Sequence, residues 1–200
     1  AEGVHEVVAV ATDAAGNSGH DVTSGELTVD RTPPQGGFAI GVGNPAYVAT
    51  AAVTLVGSVS GATQMRYRNP GDEWGAWGSY AEAVAWELVA GDGSKTVQGQ
   101  FRDAAGNVLA VSDVTALDTG LPVSDVLTAG TYGPWTWPGE VTGSAADALI
   151  GVGWVEVQCA RSDTGEFWGG AAWSSVPVWV VAAGVSPWGL ALDEAVIPPE

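Results

Sequence analysis

The sequence is poor in cysteine and histidine, the residues on which many catalytic and metal sites depend. Its single cysteine, Cys159, excludes a disulfide within the chain, and only His5 and His20 are available as imidazole ligands or bases. No His-Glu-x-x-His, Cys-x-x-Cys, glycine-rich phosphate loop or nucleophile elbow is present. The acidic residues show no pair placed for glycoside cleavage. We therefore expect a protein that is not an enzyme.

Basic residues are also scarce, with six against 23 acidic ones, which gives a net charge of −17. Such a surface repels nucleic-acid phosphates and anionic lipid headgroups, and no apolar run is long enough to span a bilayer. The sequence thus disfavours nucleic-acid binding and membrane insertion, and it favours an extracellular or cell-surface location. It opens without a charged and apolar leader, so we expect the secretion signal or anchor to lie outside this segment.

One five-residue motif, Asp-Ala-Ala-Gly-Asn, occurs twice, at residues 13–17 and 103–107. Each copy follows a run of alternating residues, and a period of two is typical of a half-buried strand. An aspartate that accepts from backbone N–H groups two residues on, followed by a glycine that tolerates positive φ, makes a tight turn. Each copy is therefore predicted to form a β-hairpin.

Similar endings follow the two hairpins, because Asp30 and Asp118 each precede a proline by four residues and lie 118 − 30 = 88 residues apart. Short strands, frequent turn signals and the lack of an amphipathic helix predict an all-β fold of tandem immunoglobulin-like sandwiches. We expect residues 35–120 to form a complete sandwich and 1–34 to be the closing hairpin of a partial one. Residues 121–200 are expected to form a sandwich that lacks its closing hairpin.

Continuing from residue 200 into residue 1 supplies the hairpin that the last sandwich lacks. We interpret the chain as one period of a head-to-tail array, in which the hairpin comes from the next repeat of a long chain or from a separate chain. The alternative is a fragment whose neighbours are merely related domains. The residues assigned to the assembly are Val7, Ala9, Ala11, Asp13, Gly16 and Asn17.

These motifs carry a family resemblance. The run Ala-Thr-Asp-Ala-Ala-Gly-Asn followed by Val-Asp-Arg-Thr-Pro-Pro resembles the closing hairpin and linker of bacterial Ig-like repeats in large secreted or surface-anchored proteins. Residues 46–118, with Gln-Met-Arg-Tyr-Arg and Trp-Gly-Ala-Trp, are similar to one common subtype nearly end to end. Residues 131–188, with Gly-Glu-Phe-Trp-Gly-Gly-Ala-Ala-Trp, resemble another. The resemblance implies a stalk, spacer or adhesive role and no catalytic residues.

Calcium binding is an alternative suggested by four aspartates. Asp13, Asp30, Asp103 and Asp118 are expected at the ends of the sandwiches, where oxygen-rich junctions can hold a cation that takes roughly 6–8 oxygen ligands. Against this, no Asp-x-Asp-x-Asp loop gathers ligands within one segment. We therefore favour turn caps for Asp13 and Asp103 and solvated linkers for Asp30 and Asp118. No other cofactor is expected.

Tryptophan is abundant, with ten residues, and seven of them follow residue 130. Because flat aromatic faces stack on sugar rings, a carbohydrate-binding accessory module of a secreted protein is the runner-up function. Trp168 and Trp173 flank a glycine pair and are the candidate glycan contacts, whereas Trp154 and Trp179 lie among valines and are expected in the core. We favour packing roles for most of these rings, and hence a structural filament, stalk or adhesin shaft.

Overall fold

The structure, a computed structural model, describes residues 2–25, 27–132 and 136–192. Within these ranges the regular secondary structure consists of strands, which confirms the predicted all-β fold class. The same ranges contain no helix long and apolar enough to cross a membrane. The chain divides into two compact units, residues 1–118 and 119–200.

The first unit begins with one long hairpin, built from two antiparallel ribbons, β1 with β4 and β2 with β3. The bounds are β1 Gly3–His5, β2 Val8–Thr12, β3 Ser18–Val22 and β4 Leu27–Val29. Among the described residues neither ribbon pairs with another sheet, and β2 and β3 are exposed along their whole lengths. Because two strands cannot bury a core by themselves, the hairpin has no core of its own in the single chain.

The eight strands that follow form two sheets. Their bounds are β5 Gln35–Ile40, β6 Tyr47–Val48, β7 Ala52–Ser60, β8 Gln64–Arg68, β9 Gly78–Ser79, β10 Ala83–Glu87, β11 Gly93–Arg102 and β12 Val108–Leu117. One sheet has the order β10-β7-β5 and the other β6-β12-β11-β8-β9. Every pairing is antiparallel except that of β6 with β12.

Both sheets turn an apolar face toward one core. The most deeply buried large side chains come from the two sheets and the segments next to them, namely Ile40, Leu55, Leu88, Val97, Phe101 and Leu117. In β11 buried and partly exposed residues alternate, as the period of two predicts. Tyr67 of β8 lies edge-on to Phe101 of β11, with ring centroids 5.7 Å apart. Residues 35–118 therefore form a β-sandwich.

The second unit contains one three-stranded sheet, β13-β14-β19, and two short ribbons, β15 with β18 and β16 with β17. The bounds are β13 Val123–Val126, β14 Glu140–Ala146, β15 Glu156–Val157, β16 Phe167–Trp168, β17 Trp173–Ser174, β18 Val180–Val181 and β19 Trp188–Ala191. The described strands of this unit include no pair comparable to β11 and β12, which have ten residues each. The predicted domain boundaries stay predictions.

The core of the second unit consists of two small clusters that contain large rings. One cluster holds Trp188 and the other holds Trp168, and both are almost fully buried. The ring of Trp188 lies directly on Gly143, where a Cβ would collide with it. Between residues 152 and 161, only Glu156–Val157 pairs as a strand, and Ala160 forms an isolated bridge.

Candidate assembly interface

The two Asp-Ala-Ala-Gly-Asn turns have the same geometry. The carboxylate of Asp13 accepts from the backbone N–H and from the side-chain amide of Asn17, each at 2.8 Å. Asp103 accepts both bonds from Asn107, each at 2.9 Å. The side-chain bond from the asparagine is the main cause that lowers the pKa of each carboxyl below its ordinary 3.8. The prediction that both aspartates cap their own turns is confirmed.

The strands that meet at these turns pair in the same register. Every pair between β2 and β3 has a counterpart between β11 and β12 at residue numbers higher by 103 − 13 = 90. Gly16 and Gly106 adopt φ angles of 90° and 94°, which glycine tolerates and other residues rarely do. The first hairpin is therefore a structural copy of the turn and the adjoining strands of β11–β12.

This correspondence identifies the inner face of the first hairpin. In β11, Val97 and Phe101 point into the sandwich and are fully buried. Val97 corresponds to Val7 and Phe101 corresponds to Ala11, and Ala9 lies between these two on the same face. These three residues are among those assigned to the assembly from the sequence. All three are exposed. The side chains that correspond to a buried face are thus uncovered in the single chain.

The strand β2 also has an edge whose backbone groups have no partner strand. Thr23 donates its N–H to the carbonyl oxygen of Val7 at 2.9 Å, so odd-numbered residues of this strand bond toward β3. Because bonding direction alternates along a strand, the even-numbered residues face the other edge. In β11 that edge is filled by β8, where Thr63 donates to the carbonyl oxygen of Arg102 at 2.8 Å. In β2, no described strand pairs with the corresponding edge.

Two of the four aspartates proposed as calcium ligands come together. Asp30 and Asp103 line a cavity of about 270 Å³, although Asp30 already accepts from the N–H of Thr32 at 2.9 Å. Asp118, expected in a solvated linker, is instead buried, because its backbone follows β12 and donates to the carbonyl oxygen of Val48 at 3.0 Å. The described residues contain no group of three or more His, Cys, Asp or Glu side chains able to hold a metal. Calcium binding stays a prediction.

The exposure of the tryptophans is the reverse of what the sequence predicts. Trp168, a candidate glycan contact, is 3% exposed, and Trp173 is half-buried with its ring 5.6 Å from that of Trp168. Trp154 and Trp179, expected in the core, are 69% and 62% exposed. The reason is that the β15–β18 ribbon has only one face on the core, and both rings belong to the other face. A sugar ring cannot stack on Trp168 in this arrangement.

Cys159 follows β15 and is half-buried. It packs against the cluster of Trp168, Leu190 and Leu192, in agreement with a role as a small apolar residue. Burial raises the pKa of its thiol, which disfavours the reactive thiolate.

The chain is similar to a crystal structure of a tetra-tandem repeat in the extending region of a large adhesion protein, with 20% identity and a TM-score of 0.34. The match covers 97% of this chain and 49% of that one, so the chain spans about half the length of the solved structure. No protein-family model matches the chain, and no curated protein matches it significantly.

The sequence reasoning missed a stack of cations and rings on the outer face of β8. The guanidinium of Arg66 lies 4.3 Å from the ring of Trp77 and 5.0 Å from that of Trp74. Arg68 lies 4.4 Å from Trp74, and Arg102 lies 4.4 Å from Trp77. The signal was present as Arg-x-Arg followed by Trp-x-x-Trp. The stack uses three of the six basic residues, which leaves the rest of the surface strongly acidic.

Proposed function

We propose that this chain is a structural and adhesive repeat segment of an extracellular filament, stalk or surface protein, in which modules follow one another head to tail. The observation that carries the proposal is the duplicated hairpin, since its two copies share one turn and one register. One copy belongs to a sandwich, and the other pairs with no further strand among the described residues. Repetition of a module along a chain makes a protein longer without requiring a larger core.

The strand order of the sandwich supports an immunoglobulin-like assignment. In that fold one sheet contains the first, second, fourth and fifth strands, and the other contains the third strand with the last two. The sheet β10-β7-β5 and the run β12-β11-β8 agree with this arrangement. Sandwiches of this type are stiff because hydrogen bonds join strands that are far apart in the sequence, and stiff modules suit a shaft.

The segment between the first hairpin and the sandwich supports a stiff joint. Pro34 is buried, and proline restricts the backbone on either side of it. The side-chain amide of Asn107, in the turn of the sandwich, donates to the carbonyl oxygen of Asp30 at 3.1 Å. Backbone restriction and this bond together limit bending at the joint, as a spacer requires.

We further propose an extracellular, non-catalytic role. The net charge of −17 favours repulsion from nucleic acid and anionic lipid, so the partners are other modules of the same kind. The three clustered arginines are engaged with tryptophan rings and are not arranged as a basic patch.

Imaging of the native material tests this function. Immunogold labelling with an antibody against residues 35–118 is expected to mark extended filaments or surface projections at a regular spacing. Pre-adsorption of the antibody with the purified chain is the control and must abolish the label. Label confined to dispersed particles, or to the cell interior, contradicts the proposal.

Carbohydrate binding is a second candidate, and the exposure of Trp154 and Trp179 favours it. Both side chains are more than half exposed, and stacking on a sugar requires an accessible ring. A glycan array probed with the wild-type chain and with Trp154→Ala and Trp179→Ala tests this function. Val176→Ala, at another exposed apolar position, is the matched control. Binding that both tryptophan variants retain contradicts a glycan role for these rings.

A calcium-rigidified shaft is the third candidate, supported by the cavity that Asp30 and Asp103 share. If calcium binds there, thermal unfolding is expected to shift upward with calcium and to return with chelator, because a ligand stabilises the state that it binds. Asp103→Asn is expected to abolish the shift, and Asp13→Asn serves as the control. Equal melting temperatures with calcium and with chelator remove this candidate.

A further inference from the structure

The strand β15 in the second unit has an open edge. Ala182 donates its N–H to the carbonyl oxygen of Val155, and Trp168 donates to that of Cys159, each at 2.9 Å. The odd-numbered residues of this segment therefore bond toward β18 and β16. By alternation, Glu156 directs its backbone N–H and C=O to the opposite edge. No described strand pairs with that edge.

This edge corresponds to the edge of β8 that receives β11. In β8, Tyr80 donates to the carbonyl oxygen of Thr63 at 3.0 Å, which puts the odd-numbered backbone groups on the β9 side. The side chain of odd-numbered Tyr67 is buried, and the even-numbered groups bond to β11. The same relation holds in β15, where Val155 is buried and Glu156 is exposed. The two edges thus have the same orientation relative to their cores.

We propose that the hairpin formed by β1 to β4 of a second copy of this chain binds to the open edge of β15, with β2 antiparallel to β15 as β11 is to β8. The first unit cannot be the acceptor, because its own β11 and β12 already occupy this position. The described part of the second unit has the acceptor edge and no strand on it. The inference rests on the proposed head-to-tail assembly and specifies its contact as strand addition, in which main-chain hydrogen bonds join the two copies.

The inner face of the hairpin fits the core of the second unit in size. Where the sandwich of the first unit has Phe101, the hairpin has Ala11. The second unit already contains the large rings of Trp168 and Trp188 in its two clusters. Small side chains facing large ones allow close packing, whereas a phenylalanine at position 11 would compete with these rings for space.

The inner face also carries a hydrogen-bond acceptor that the second unit needs. The buried indole N–H groups of Trp168 and Trp188 have no hydrogen-bond partner among the described residues. Asp21 pairs with Ala9 and therefore shares its face of the hairpin. Its carboxylate accepts from donors of this kind, and hairpin addition brings it to the tryptophan core.

The outer faces match as well. Val8 and Val10 lie on the outer face of β2, and Trp154 and Trp179 lie on the outer face of the β15–β18 ribbon. All four side chains are more than half exposed in the single chain. In one sheet, β2 would place these valines on the same outer face as Trp154 and the exposed Glu156, with Trp179 one strand further away, so association removes some apolar surface from water on this face too.

Paired proline variants of the whole chain test the proposal. Val10→Pro removes an N–H from the open edge of β2 and leaves the bonds to β3 intact, so it disables the donor. Glu156→Pro removes an N–H from the open edge of β15 and disables the acceptor. His20→Pro is the matched control, because His20 pairs opposite Val10 and directs its own N–H to the far edge of β3. Circular dichroism and thermal melts establish that each variant is folded.

Sedimentation velocity over roughly a hundredfold range of concentration gives the readout, since association follows mass action. Wild type and His20→Pro are expected to form chains of copies that grow with concentration. Val10→Pro and Glu156→Pro are each expected to associate at least about tenfold more weakly. When the two variants are mixed, they should form a one-to-one dimer, because Val10→Pro retains an intact acceptor edge and Glu156→Pro retains an intact donor hairpin. In that dimer the amide of Glu156 in the Val10→Pro copy should gain protection from hydrogen exchange.

The proposal is overturned if the wild-type chain stays monomeric throughout this range. This holds also for a monomer whose β15 amides are already protected from hydrogen exchange at the lowest concentration. It is also overturned if His20→Pro weakens association as much as Val10→Pro, or if the mixture forms no dimer. Failure of the general function is distinguishable. If the native material forms regularly labelled filaments but the purified chain is monomeric in solution, the repeat function stands and strand addition between copies is wrong. If the purified chain forms a dimer but no filaments are found, strand addition stands and the repeat function is wrong.

Discussion

The backbone N–H of Ile40 donates to Oδ2 of Asp113 at 2.7 Å. Ile40 ends β5 in one sheet and Asp113 lies in β12 in the other, so this bond joins the two layers of the sandwich. Ile40 is fully buried, and its N–H therefore depends on the carboxylate for a partner. The acidic side chain of Asp113 therefore has a structural role here, as the acceptor for a backbone N–H.

Replacement of Asp113 by alanine is expected to lower the free energy of unfolding by about 1.5–3 kcal/mol, because it leaves a buried N–H unsatisfied. Asp113→Asn retains an oxygen acceptor and should lose roughly half as much or less. Urea denaturation followed by tryptophan fluorescence measures both. An alanine variant as stable as wild type would show that the bond between the sheets contributes nothing.

Gly143→Ala is expected to destabilise the second unit by about 3 kcal/mol, since the new methyl group would collide with the ring of Trp188 and with the carbonyl oxygen of Asp125. Gly153→Ala is the control, because no heavy atom lies within 4 Å of the position of its Cβ. The control should change stability by no more than about 0.5 kcal/mol. Thermal unfolding of the two variants side by side gives the comparison, and similar losses in both contradict the packing of Trp188 on Gly143.

Alkaline pH should destabilise the sandwich through Tyr67. Burial, together with the nearby Tyr80, raises the pKa of Tyr67 from 10.0 to about 12. Because the folded-state pKa lies above the unfolded one, the stabilisation is fully present below pH 10 and is lost as the pH rises from 10 to 12, by about 3 kcal/mol in total. Tyr67→Phe removes this dependence and Tyr47→Phe, at an exposed position, does not. Phenolate absorbance that shows Tyr67 titrating near 10 contradicts the shift.

The Arg–Trp stack should stiffen the outer face of the sandwich. Trp77→Ala removes the ring that lies between Arg66 and Arg102 and is expected to cost about 1–2 kcal/mol of stability. Trp154→Ala, which truncates a ring that is mostly exposed, should change stability by less than about 0.5 kcal/mol in dilute solution. Guanidinium denaturation gives both values. Equal effects at the two positions indicate that the cation contacts do not stabilise the fold.

The two copies of the turn allow one substitution to be compared in two settings. Asp103→Ala removes the cap of a hairpin built into the sandwich and should lower the melting temperature of the first unit measurably. Asp13→Ala removes the same cap from a hairpin that joins no other sheet among the described residues, so the melting temperature should be unchanged. Differential scanning calorimetry on dilute protein measures both. A comparable loss from Asp13→Ala indicates that the first hairpin is part of the cooperative unit.

Local structure followed closely from the sequence. The alternation in residues 95–103 predicted β11, and Asp103 and Gly106 predicted the turn that ends it, because their bonds lie within five residues. The same reasoning held for the copy at residues 13–17. Burial in the second unit did not follow, since Trp154, which lies beside valine in the sequence, is exposed, and Trp168, which precedes a glycine pair, is buried.

The sequence by itself determined the all-β class, the two matching hairpins and the capped turns, since these depend on side chains that act on their own or neighbouring backbone. Only the tertiary structure decided that Trp168 is buried while Trp154 and Trp179 are exposed, and that the backbone edges of β2 and β15 lack partner strands. The physical reason is that burial and strand pairing depend on which distant segments cover a face or an edge, and the alternation of residues within one strand does not specify that segment.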